Sequence, residues 1–176
     1  MHFQALAYRA HDPYWSFDPL SGAGAKVHGG RFTPQGIPAL YLALSPTVAI
    51  AEYNQGFPHR PQPVTLCAYD VDCADIINLT EAHEQAQLKI TDEVLANPWE
   101  MDLALKQTPP SWQLVERLIT AGAAGIIVPS YARNAPDLGK NLVLWQWSDS
   151  PPHQVLLIDD HIRLPKNQDS WKPPPE

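Results

Sequence analysis

Proline sets the first limit on what this chain can become. Nineteen of its 176 residues are proline, about 11%, roughly twice ordinary usage. Each proline fixes φ and removes an amide donor, so helices and central strands must begin or end around it. The apolar stretches between prolines are accordingly short. Strands are expected at residues 4–9, 40–44, 64–71, 76–79, 125–129, 141–147 and 155–158. Ser45-Pro46 reads as an N-cap followed by proline at the first helical position, opening a helix that stops near Gly56 and Pro58. Further helices are expected to open at 80–83, to span 92–97 before Pro98, and to span 111–121. In the last of these Trp112, Val115, Leu118 and Ile119 share one face, and Gly122 caps the end. These elements do not alternate strand–helix–strand, so the fold class is α+β.

Residues 10–29 carry turn chemistry (His11-Asp12-Pro13, Gly22-Ala23-Gly24) and read as one long loop, of a length that is usually functional or mobile. The whole reads as one domain over 1–164 with a proline-rich tail over 165–176. A formal charge of −7 with twelve dispersed Lys and Arg residues argues against nonspecific nucleic-acid binding. No apolar run approaches the ~18–20 residues that span a bilayer, and the first residues do not read as a signal peptide, so a cytoplasmic protein is expected. Cys67 and Cys73 read as buried free thiols. The seven histidines show no metal-ligand spacing, and no metal is expected; His28, beside Gly29-Gly30, is the one to watch.

Chemistry concentrates between His28 and Glu52. Arg31 follows two glycines, which let backbone approach a ligand. Its planar fork suits phosphate or carboxylate, though a surface turn would also accept it. Tyr41 alternates within an apolar strand, as a core aromatic or as a ring for a planar heterocycle. Glu52 lies one turn beyond Val48 and Ala49 on an apolar helical face, where a carboxylate has either an ion-pair partner or a function. Arg9 ends a strand. Ser130 follows a buried strand and a proline, in a place fit for turn capping or for a site, but lacks the G-x-S-x-G of an activated nucleophile. Asn141 opens a strand and fits a turn equally well.

Several short motifs occur in one order: Tyr8-Arg9, the loop 19–25, Gly29-Gly30-Arg31-Phe32, the segment 36–43, Ala49-Ile50-Ala51-Glu52, the strand 125–129 with Ser130, and Asn141-Leu142-Val143-Leu144. The series resembles the RES domain, named for its arginine, glutamate and serine, as found in ParT-like toxins of type II toxin–antitoxin systems. It covers roughly residues 6 to 160. Phe32 stands where many members have tryptophan, a conservative difference.

The resemblance implies a fold similar to diphtheria-toxin-like ADP-ribosyltransferases, with short, mostly antiparallel strands in two small sheets and flanking helices. It implies NAD+ as substrate, with Arg31, Tyr41 and Glu52 as the catalytic core and Arg9, Ser130 and Asn141 around the cofactor. Transfer of ADP-ribose to a cellular protein is the reading it favours. Hydrolysis or phosphorolysis that depletes NAD+ is the rival, and a non-catalytic nucleotide- or protein-binding module is a third. The implied partner is a small antitoxin with a helix-turn-helix domain of the Xre-like kind.

Overall fold

The computed structural model describes residues 1–55 and 61–169. β1 (Phe3–His11) pairs antiparallel with β3 (Thr65–Cys73) along its full length, and β7 (His153–Ile158) adds to the far side of β3. β2 (Leu40–Ala43) pairs antiparallel with β6 (Lys140–Leu144), β6 pairs antiparallel with β5 (Gly125–Pro129), and β5 runs parallel to β4 (Ile76–Asn78). The α+β class is borne out. The expected two small sheets are instead one seven-stranded sheet in the order β4-β5-β6-β2-β1-β3-β7. The reason lies at its centre. β1 meets β2 at one register pair, Tyr8 with Ala43, which joins the two halves into one sheet.

The two halves share one core. Ala7, Tyr69, Val71 and Val155 from one half join Leu40, Leu42, Ile127, Leu142 and Leu144 from the other in a single core. Side chains alternate along a strand, so Val143 and Ile126 face a second core with Leu114, Val115 and Leu118 of α6 (Pro110–Thr120). Leu40, Val71, Leu142 and Leu144 are fully enclosed, each stabilising the fold by about 1.5–3 kcal/mol. Cys67 and Cys73 are buried free thiols, as expected.

α2 (Pro46–Asn54) lies over the β1–β2 joint, where Val48 and Ala49 pack with Ala43, Tyr8 and Ala10. Its N-terminus forms as the sequence predicts: Ser45 Oγ accepts from the Val48 amide at 3.3 Å and Pro46 stands first in the helix. The predicted stop at Gly56 and Pro58 lies outside the described residues, as does most of the predicted tail. The remaining helices are α1 (Ala23–His28), α3 (Ala82–Leu88), α4 (Asp92–Leu95) and α5 (Trp99–Ala104). Among the described residues no helix is long and apolar enough to cross a membrane.

The stretch 10–29 differs from the long loop expected. It holds a 3-10 turn (Pro13–Trp15) and α1, and side chains clamp its middle. Three successive carbonyls accept in turn: Pro19 from the Tyr69 hydroxyl at 2.9 Å, Leu20 from the Trp147 indole at 3.1 Å, and Ser21 from Arg9 at 3.1 Å. These donors are 12 to 127 residues away, out of reach of any local rule. α5 is also unforeseen, because Pro98 ends one helical stretch and opens the next, with Glu100 and Asp102 in the first turn favouring the helix dipole.

Below the clamp, His11 is buried with its Nε2 2.8 Å from the Tyr69 hydroxyl oxygen. That hydroxyl spends its one proton on Pro19, so His11 must be the donor to it, a neutral imidazole protonated on Nε2. Burial, and then the charge of Arg9, push His11 down from 6.5 to about 4. Above pH 6.5 the folded and unfolded chains are both neutral here. Between 6.5 and 4 the unfolded chain takes a proton that the folded chain refuses, so stability falls as pH falls, by up to roughly 3 kcal/mol. The melting temperature should drop by about 6–12 °C across that window, and His11→Gln should flatten the drop. An equally steep drop in the variant would contradict this assignment.

Candidate active site

Gly30 and Thr33 exchange backbone hydrogen bonds of 2.9 and 3.1 Å, which leaves Arg31 and Phe32 at the tip of a two-residue turn. The turn is held from three sides. The Trp112 indole donates to the Gly30 carbonyl at 2.8 Å, and the Trp145 indole to the Phe32 carbonyl at 3.0 Å. Tyr41 Oη accepts from the Phe32 amide at 3.1 Å and shares a proton with Thr33 Oγ1 at 2.8 Å. Burial pushes the Tyr41 phenol up to about 12, so it stays protonated. A Cβ on Gly30 would stand 2.6 Å from that hydroxyl. Gly30→Ala should therefore displace Tyr41 and cost about 1–3 kcal/mol in thermal unfolding; an unchanged midpoint would show that the turn gives way freely.

Glu52 faces this turn from α2. Its Oε1 accepts from Ser130 Oγ at 2.6 Å and from Asn141 Nδ2 at 2.5 Å. Both donors sit at strand ends, Ser130 just after β5 and Asn141 on β6 opposite Ala43 and Val128. The Ser130 amide donates to the Gly139 carbonyl at 2.7 Å and closes the intervening loop. Glu52 Oε2 has no hydrogen-bond partner among the described residues, and Asn141 Oδ1 is a buried acceptor likewise without one. Glu52 is thus a carboxylate with one oxygen fixed and the other open.

Two cavities meet at Glu52. The larger, about 730 Å³, is lined by Arg31, Trp99, Met101, Tyr131 and Arg133 among others, and falls in the ~300–1,000 Å³ range of cofactor sites. The smaller, about 250 Å³, lies beside β1 and β2 and takes in Tyr8, Arg9 and Tyr53. Tyr41, Glu52, Gln55 and Asn141 line both. Arg31 thus lines one of the two cavities that meet at the carboxylate, and Arg9 the other.

Neither arginine is neutralised. Among the described residues no Lys or Arg lies within salt-bridge distance of a carboxylate; the recorded pairs all involve histidine. Arg31 donates to the Asn97 carbonyl and lies over the Tyr131 ring, its Cζ 4.6 Å from the centroid. Burial lowers the pKa of both guanidinium groups, and both remain charged. Two desolvated cations kept in the cleft of an acidic protein call for an anionic ligand.

All six residues singled out from the sequence converge here. Arg31, Tyr41, Glu52 and Asn141 line the larger cavity, Arg9 lines the smaller, and Ser130 reaches in through Glu52. The Tyr41 hydroxyl is committed to holding the Arg31 turn, leaving its ring for a ligand. His28 is exposed at the end of α1 and lines neither cavity. Trp99, Met101, Tyr131 and Arg133 were not anticipated. Tyr131 and Arg133 could have been, since they continue the strand end that carries Ser130.

No curated protein matches the chain. A chain in the crystal structure of the M. tuberculosis MbcT–MbcA toxin–antitoxin complex matches at 20% identity with a TM-score of 0.63, over 90% of this chain and 84% of that one, a likeness of fold. The RES domain family model matches residues 6–167, nearly the whole length. The chain belongs to the RES domain family.

Proposed function

We propose that this chain is an NAD+-consuming enzyme that breaks the nicotinamide–ribose bond and transfers ADP-ribose to a cellular protein, as the toxin of a toxin–antitoxin pair. One observation carries the reading. Two half-buried arginines without carboxylate partners line the cavities around a carboxylate whose Oε2 is open, in a cleft that also offers aromatic rings. A dinucleotide presents matching chemistry: an anionic pyrophosphate, ribose hydroxyls and planar bases.

In this reading Arg31 and Arg9 hold the anionic part of NAD+, and the Tyr41 ring flanks a base. Glu52 Oε2 accepts from a ribose hydroxyl and faces the positive charge that develops as the glycosidic bond stretches, as carboxylates do in glycoside cleavage. The bonding pair leaves with nicotinamide, which departs neutral and needs no acid. The acceptor nucleophile then forms the new bond to the ribose carbon and gives up its proton. Ser130 and Asn141 keep Oε1 occupied, so Oε2 is the oxygen presented. The likeness to a chain of a toxin–antitoxin complex supports the partner: a cognate antitoxin, with a helix-turn-helix domain as the family resemblance implies.

The test is nicotinamide release from NAD+ by the purified chain, with label on the ADP-ribose and cell extract present. Nicotinamide with label on a protein band is the expected result. Nicotinamide with free ADP-ribose or its phosphate would replace transfer by hydrolysis or phosphorolysis. No nicotinamide under any of these conditions would leave a binding module.

A further inference from the structure

Arg31 is not fixed by the motif that contains it. Its guanidinium donates to the carbonyl of Asn97, 66 residues away, and its other N–H groups have no partner among the described residues. The Asn97 carbonyl also accepts from the Trp99 amide at 2.9 Å, which places it at the entry to α5. The Asn97 side chain is buried and donates through Nδ2 to Asp102 Oδ2 at 2.6 Å, while its Oδ1 is buried without a partner. α5 itself contributes no buried residue; Met101 and Leu105 are 59% and 62% exposed. Few of its apolar side chains are buried, and hydrogen bonds from Arg31 and Asp102 reach Asn97 at its entry. Pro98, Trp99, Glu100 and Met101 nevertheless form one wall of the larger cavity.

We propose that Asn97, itself held by Asp102, is a positioning residue for Arg31. Its carbonyl takes one N–H of the guanidinium and, with the Tyr131 ring against the flat face, holds the fork so that the remaining N–H groups face a ligand's anionic group. A guanidinium is useful to an oxyanion when its plane is already set, because less side-chain freedom is then lost on binding. Glu100 is the acidic group nearest in influence on Arg31 from this helix, and Glu52 from α2. Without the Asn97 anchor, Arg31 is free to swing toward either of them and away from the ligand.

The proposal rests on the NAD+ reading for its kinetic arm and not for its structural one. Asp102→Ala frees Asn97, and KM for NAD+ should rise on the order of tenfold with kcat nearly constant, the pattern of lost ground-state binding. Asp102→Asn keeps an acceptor for Asn97 Nδ2 and should restore the wild-type KM. Leu105→Ala, at the C-cap of the same helix but outside the cleft, should change nothing. If Asp102→Ala unfolds, Asn97→Ala keeps the carbonyl while cutting it from Asp102 and should act in the same direction.

The structural arm needs no turnover. The Arg31 Nε–H resonance, assigned by its loss in Arg31→Met, should be sharp in the wild type and in Asp102→Asn and broadened in Asp102→Ala. If the wild type leaves NAD+ intact, the functional reading fails and the resonance alone decides. An unchanged resonance in folded Asp102→Ala, or a raised KM that Asp102→Asn fails to restore, overturns the positioning role.

Discussion

Glu52→Gln should lower NAD+ turnover by about 10²–10³-fold, a loss of roughly 3–4 kcal/mol of transition-state stabilisation, with little change in melting temperature. The structure explains why the two effects separate. The glutamine Oε1 can still accept from Ser130 Oγ and Asn141 Nδ2, so the hydrogen bonds that tie α2 to the ends of β5 and β6 survive. What disappears is the negative charge and the acceptor at Oε2, which the fold does not use. Glu52→Ala would test something else, because it orphans both donors and mixes a folding defect with a catalytic one. If Glu52→Gln keeps its turnover and loses stability, the carboxylate is structural and the glycosidic bond is broken without it. Nicotinamide release and thermal unfolding on the same preparation read both quantities.

Arg31→Met carries the second large effect, and on stability its sign is less intuitive. Losing charge-assisted hydrogen bonds to an anionic ligand should weaken NAD+ use by about 1.5–3 kcal/mol, roughly tenfold to a hundredfold in KM. Yet burial, the largest influence on this guanidinium, already disfavours its charge, and among the described residues no carboxylate lies within salt-bridge distance. Methionine gives up the guanidinium contact with Tyr131 and removes the partly desolvated cation. The melting temperature should stay level or rise, the signature of a group retained for function at some cost to the fold. A clear drop in melting temperature would show that the bond to the Asn97 carbonyl and the contact with the Tyr131 ring matter more to the fold than to any ligand.

Local rules carried the sequence reading a long way around Glu52. Ser45-Pro46 caps α2, an apolar run makes β2, and a glutamate on an apolar helical face signals either an ion-pair partner or a function, each from a few adjacent residues. The ordered motifs then pointed to Arg9, Ser130 and Asn141 as neighbours, and the fold brings them there. What could not be read is whatever depends on distant pairing. The single β1–β2 register pair, beside which the smaller cavity lies, follows from three-dimensional packing and has no sequence mark. The same holds for Tyr41, whose hydroxyl is spent on the Arg31 turn and is not free for a ligand. Residues 10–29 read as one long loop because Gly22 and Gly24 suggest freedom. Gly22 is instead a packing requirement, since a Cβ there would lie 2.5 Å from the Trp147 ring. α5 escaped because Pro98 ends a helical pattern as readily as it begins one.

The most direct measurement is equilibrium binding of NAD+ to the Glu52→Gln protein, in which the substrate should persist. Saturable one-site binding, lost when Arg9 and Arg31 are both replaced by methionine and retained when Leu105 is replaced by alanine, is the predicted result. No binding, or binding indifferent to both arginines, would contradict the assignment of this cleft as an NAD+ site.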